Sequence, residues 1–164
     1  MTRPKKYAFK PTGKHPSRPA KRQAQREARA PKPPRQDGAA PGGEGRPTHW
    51  DPVAKWYNGW VGKKGSLYHR AVAIPSVMEL ADVKPGELVL DLGCGQGVLA
   101  PHVLKRGARY LGVDGSRTLV QLARRHHAED PKRKNEVQFL LGDVRKLQDL
   151  PEIQKGSADV AVFM

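Results

Sequence analysis

Residues 90–98 read Leu-Asp-Leu-Gly-Cys-Gly-Gln-Gly-Val, and the fold class is decided there. The apolar run Leu88–Leu92 has strand character, and a helical pattern over Val98–Arg106 begins as soon as Gly93, Gly95 and Gly97 have passed. Glycines at alternate positions make a turn with no Cβ in the way. Backbone N–H groups and a helix start can then come close to a ligand. Outward from this loop the alternation repeats. Gly107 stops the helix, Tyr110–Val113 predicts a second strand, and Ser116 is placed to cap a helix over Arg117–Ala128. Glu136–Leu141 predicts a third strand, Lys146–Ile153 a short helical turn, and Ala158–Met164 a fourth strand. Strands joined by helical crossovers mean an α/β fold, a doubly wound parallel sheet of about four strands.

Upstream of the loop the chain changes character twice. Residues 50–85 predict a helical, aromatic-rich segment. It starts with a short helix from Pro52 that carries Trp56, Tyr57 and Trp60, and a second helix covers 67–82, kinked or restarted at Pro75. Residues 1–49 hold 13 of the 30 Lys and Arg against three acids, a net +10, and nine of the 15 prolines. Their only apolar side chains larger than Ala are Met1, Tyr7 and Phe9, so little apolar burial could offset the entropy of ordering. A disordered basic tail is expected there, with RNA as a possible contact. The domains expected are thus a tail over 1–49, a lid over 50–85 and a sheet domain over 86–164.

The charge of the remainder, 50–164, is only +4, so the overall +14 says little about the folded part. One Cys excludes an internal disulfide and a multi-cysteine metal centre, and suits a reducing compartment such as the cytoplasm. No stretch approaches the roughly 18 apolar residues of a membrane span. His126 and His127, beside Glu129 and Asp130, read as a solvated helix end rather than a metal site. Oligomeric state is not legible.

An acid 17 residues beyond Gly97, Asp114, ends the second strand, where the crevice of an open α/β sheet receives ribose hydroxyls. The spacing is G-x-G-x-G, with Val98 where a dinucleotide fingerprint has its third small residue, which disfavours a nicotinamide cofactor. With Asp91 ahead of the first glycine and Cys94 inside the loop, the chain resembles class I S-adenosylmethionine-dependent methyltransferases over about residues 50–164. The resemblance implies S-adenosyl-L-methionine as cofactor. It gives Gly93, Gly95 and Gly97 backbone contacts to the methionine and ribose parts, with Cys94 among them. Asp91 would organise the loop or reach the cofactor amino group, and Asp114 would hold the ribose hydroxyls. Asp143 and Val144 would meet adenine, while Tyr57 and Tyr68 would close from the lid. Asp114 and Asp143 each precede or follow a glycine and also read as turn residues. Cys94 also reads as a loop filler.

The family's sheet has seven strands, of which residues 86–164 supply the 3-2-1-4 half, so an incomplete Rossmann-like methyltransferase is expected. No catalytic residue is nominated. The methyl acceptor is open between RNA and a small molecule. The competing expectation is a non-catalytic fragment that binds cofactor weakly, or polyanions through its tail.

Overall fold

The computed structural model describes residues 50–128 and 136–164. The basic tail expected over 1–49 lies outside the described residues, as does the link Pro131–Lys134.

Four strands form one parallel sheet: β1 Leu88–Leu92, β2 Arg109–Asp114, β3 Val137–Leu141 and β4 Val160–Val162, in the order β3-β2-β1-β4. Leu90 pairs with Leu111 across β1 and β2, Gly112 with Phe139 across β2 and β3, and Asp91 with Val162 across β1 and β4. This is the strand order expected of the half-sheet. The fourth strand is shorter than the run 158–164 that predicted it.

Strand period sends alternate side chains to opposite faces. Val89, Tyr110 and Phe139 face one side, where they join Ile74, Met78, Val98, Leu99, Val103, Val120 and Ala123 in the main core. That side carries α1 Asp51–Val61, α2 Ile74–Ala81, α3 Ala100–Lys105 and α4 Arg117–His127. Leu90, Leu111, Val113 and Leu140 face the other side, under Val144, Leu147, Leu150 and Ile153. The helical turn expected near Lys146–Ile153 is a 3-10 turn at Leu147–Asp149.

The restart at Pro75 has a local cause. A wide π turn, His69–Ala73, precedes α2, and the Ile74 N–H reaches back to the His69 carbonyl. Pro75 then falls in the first turn of α2, where a missing N–H leaves no bond unmade. The Ser116 cap forms as expected, its hydroxyl accepting the Leu119 N–H at 3.2 Å. No described helix is long and apolar enough to cross a membrane.

Candidate functional site

The C-terminal ends of β1, β2 and β3 lie side by side, so residues following each strand meet at one edge of the sheet. The glycine loop is pinned to β2, since the N–H groups of Gly93 and Cys94 both donate to the Val113 carbonyl at 2.8 and 3.0 Å. Gly142 N–H donates to the Asp114 carbonyl at 3.0 Å, which brings the turn after β3 against the end of β2.

The glycines do different work. A Cβ at Gly97 would stand 2.6 Å from Phe139 Cε1 and 3.1 Å from His127 Nε2, so this glycine lets α4 and β3 close on the loop. At Gly93 the ring of Phe163 would lie 3.3 Å away. Gly95 differs from both: its φ is +55° and a Cβ there would meet nothing within 4 Å. The bare side of Gly95 therefore faces open space, where a ligand can approach the backbone.

Asp114 fastens this loop. Its Oδ2 accepts the Gly95 N–H at 2.8 Å and its Oδ1 the Ser116 N–H at 2.8 Å. A carboxylate has about four lone-pair sites, so two N–H donors leave room for a diol. Burial raises the Asp114 pKa; the two N–H bonds oppose that shift and the Asp51 charge adds to it. Tyr57 lies over the same region. Burial, and then the charge of Asp114, raise its phenol. Its ring meets Trp50 and Trp60 edge-on at 5.5 and 6.1 Å.

Asp91 is buried behind the loop and accepts the Tyr110 hydroxyl at 2.6 Å. Burial pushes its pKa up to about 6, and the Tyr110 bond only partly opposes this. Cys94 packs beneath the loop, where a Cβ on Gly112 would stand 2.8 Å from its Sγ. Burial raises the thiol pKa, so Cys94 acts as the filler, not as a reactive group.

Three of the expected residues stand apart. Asp143 is gripped by Arg145, whose Nε and Nη2 reach its two oxygens at 2.9 and 2.6 Å, and its pKa falls to about 2 through those bonds. Its neighbour Val144 packs on the far face of the sheet. Tyr68 is 61% exposed and contacts the His69 ring edge-on. The structure thus brings together Asp91, Gly93, Cys94, Gly95, Gly97, Asp114 and Tyr57, and leaves Asp143, Val144 and Tyr68 outside that group.

Sequence reading missed four partners. Asp51, from α1, accepts the Ser116 hydroxyl at 2.7 Å and the Thr118 N–H at 3.0 Å. Gln96, within the loop, donates from Nε2 to the Gly62 carbonyl. His127 is not a solvated helix end: its Nε2 meets the Gly97 carbonyl at 3.0 Å, and burial lowers its pKa. Ser66 Oγ meets His69 Nδ1 at 2.8 Å. Ser66 is the one of these with a sequence signal, a hydroxyl placed just ahead of a helical pattern.

A family model described as a methyltransferase domain matches residues 89–164, the stretch that carries the glycine loop and, but for Leu88, the four described strands. Over residues 89–164 the chain is therefore similar to the methyltransferase domain family. Among curated relatives, the mitochondrial ubiquinone biosynthesis O-methyltransferase of Schizosaccharomyces pombe is 27% identical over 104 residues, covering 61% of this chain and 38% of that protein. The ubiquinone biosynthesis O-methyltransferase of Vibrio parahaemolyticus is 37% identical over 67 residues, 41% of this chain and 28% of that protein. The chain therefore spans well under half the length of either relative. A solved RNA methyltransferase from Salinibacter ruber, in complex with S-adenosyl-L-homocysteine, is 27% identical, covers 56% of each chain and superposes with a TM-score of 0.47.

The methyltransferase domain implies S-adenosyl-L-methionine, and the residues fit it. Gly95 presents a face that a Cβ would fill, and Asp114 keeps acceptor sites for hydroxyls beside it. When bound, the cofactor would supply an electrophilic methyl group. Asp114 would then hold the ribose, Gly95 would admit the backbone approach and Tyr57 would cover the crevice.

Proposed function

We propose that the protein is an S-adenosyl-L-methionine-dependent methyltransferase. The observation that carries this is the pairing of Gly95 with Asp114: an open, left-handed glycine whose N–H is held at 2.8 Å by an acid at the next strand end. That arrangement suits a nucleoside with a free ribose diol at the crevice of a parallel sheet. Methyl transfer from a sulfonium is an in-line displacement, so alignment is the protein's main task.

For the acceptor we favour a small molecule with a hydroxyl group. The curated relatives named as O-methyltransferases support it, as does the aromatic lid of Trp50, Tyr57 and Trp60. An RNA acceptor engaged through residues 1–49 is the second reading, supported by the +10 charge of that segment. We place the protein in the cytoplasm, in keeping with a single free and buried thiol.

Calorimetric titration with S-adenosyl-L-homocysteine tests the cofactor reading. Binding at micromolar concentration supports it, and no heat at millimolar ligand overturns it. Salt-dependent RNA binding lost on deletion of 1–49 would favour the second acceptor.

A further inference from the structure

The lid helix α1 is fastened at its two ends by bonds of unequal quality. Asp51 sits on the first turn of α4 with two donors, where the helix dipole favours a negative charge. At the other end, Gln96 Nε2 donates to the carbonyl of Gly62, the residue that ends α1. Gln96 is 2% exposed, and its Oε1 is shielded from solvent with no hydrogen-bond partner among the described residues. Leaving a buried acceptor unmet costs at least as much as one neutral hydrogen bond returns. Turning the amide over would set carbonyl against carbonyl, so this orientation is fixed by Gly62. The Asp51 end is firm, and the Gly62 end is near balance.

Gln96 also lies between two residues that are themselves held. Gly95 N–H is on Asp114, and the Gly97 carbonyl is on His127. A ligand that draws on the Asp114 carboxylate loads the loop at the residue next to Gln96. A near-balanced contact is the kind that a small bias can shift.

We propose that Gln96 is a positioning residue that latches the Gly62 end of α1 to the glycine loop and transmits ligand occupancy at Asp114 and Gly95 to the lid. This rests on the crevice being a nucleoside site. The lid pivots at Asp51 and releases at Gly62, and bound ligand favours the latched form.

The test uses a property of the sequence. Its three tryptophans are Trp50, Trp56 and Trp60, all on α1 or at its cap, so tryptophan emission reports the lid alone. Acrylamide quenching of the full chain is measured with and without S-adenosyl-L-homocysteine, beside calorimetric affinities, for wild type, Gln96→Met and Gln96→Glu. In the wild type the quenching constant should fall about twofold on saturation, as the lid population shifts. In the variants, affinity should drop by less than about tenfold while the ligand-dependent fall in quenching disappears. Retention of the wild-type fall in both variants overturns the latch. A merely structural Gln96 would lower the melting temperature and leave that fall intact. Should Gln96→Glu not fold, Gln96→Met keeps the length and still decides. If the wild type takes up no S-adenosyl-L-homocysteine, the nucleoside reading fails by itself. The latch is then judged on ligand-free protein, where Gln96→Glu should raise the quenching constant about twofold and equal constants would overturn it.

Discussion

The acids at the ends of β1 and β2 and the acid after β3 are the same residue type in opposite situations. Asp91 and Asp114 are buried, bonded only to neutral donors, and raised in pKa. Asp143 is only partly buried, paired with a guanidinium, and lowered to about 2. A buried carboxylate without a cation carries an uncompensated charge and gains from a ligand that brings hydroxyls or positive charge. A solvated carboxylate already in an Arg pair gains little, and its pair is itself weak. The site is therefore strong at β1 and β2 and slack at β3.

The widest test of this asymmetry is Asp114→Ala. Losing a charged acceptor for the ribose, together with the Gly95 tether, should weaken S-adenosyl-L-homocysteine by about 100-fold in calorimetry, roughly the value of two charge-assisted hydrogen bonds. A change under about threefold would erase the distinction between the two halves.

The glycines divide along a similar line. Gly97→Ala should cost about 3 kcal/mol in denaturant unfolding, because left-handed strain adds to collision with Phe139. Gly95→Ala should cost only about 1 kcal/mol, since nothing stands near its Cβ, yet weaken ligand by about tenfold or more. Equal stability losses would mean that the loop has no open side.

Asp91 supplies a pH signature. Its native pKa of about 6 lies above the unfolded value, so the native state binds the extra proton between those two values. Stability is lost as pH rises through that window, and the full penalty stands above it. Asp91→Asn keeps an acceptor for the Tyr110 hydroxyl and should stabilise by about 2 kcal/mol at pH 7.5. The gain should shrink as pH falls below about 6 and vanish near pH 4, read from urea midpoints. A gain constant with pH would locate its cause in packing, not in charge.

The smallest effects belong to the slack side. Asp143→Asn should change ligand affinity by less than about threefold, in line with an exposed ion pair. Tyr68→Ala should move stability by less than about 0.5 kcal/mol and affinity not at all, as for an exposed side chain away from the site. A large loss from either would show that the β3 side tightens when ligand arrives.

What the sequence made legible follows from the range of the signal. Strand β1, the glycine loop and the Ser116 cap are local patterns, read within a few residues, and they stand as expected. Asp114 was singled out because the crevice rule ties an acid to a strand end, and the structure puts it on the glycine loop. Asp51 was not, because its contact with Ser116 joins positions 65 apart and no periodicity encodes it. Gln96 and His127 escaped for the same reason. Their partners are backbone carbonyls, which every sequence offers equally. The exposure of Tyr68 is a different case, one that helical counting could have caught. Two turns back from the buried Ile74 lie Ser66 and Leu67, so Tyr68 falls off the inward face.

The lone thiol has one further use. Cys94 lies under the loop against Gly112, where a bulkier residue would collide with it, and burial keeps it protonated. A disulfide reagent in solution can reach that sulfur only when the loop lifts from β2. Its labelling rate is therefore a clock for loop opening, set by how often the Val113 carbonyl lets go of the two N–H groups it holds. Any ligand that seals the crevice should slow that clock in proportion to its occupancy.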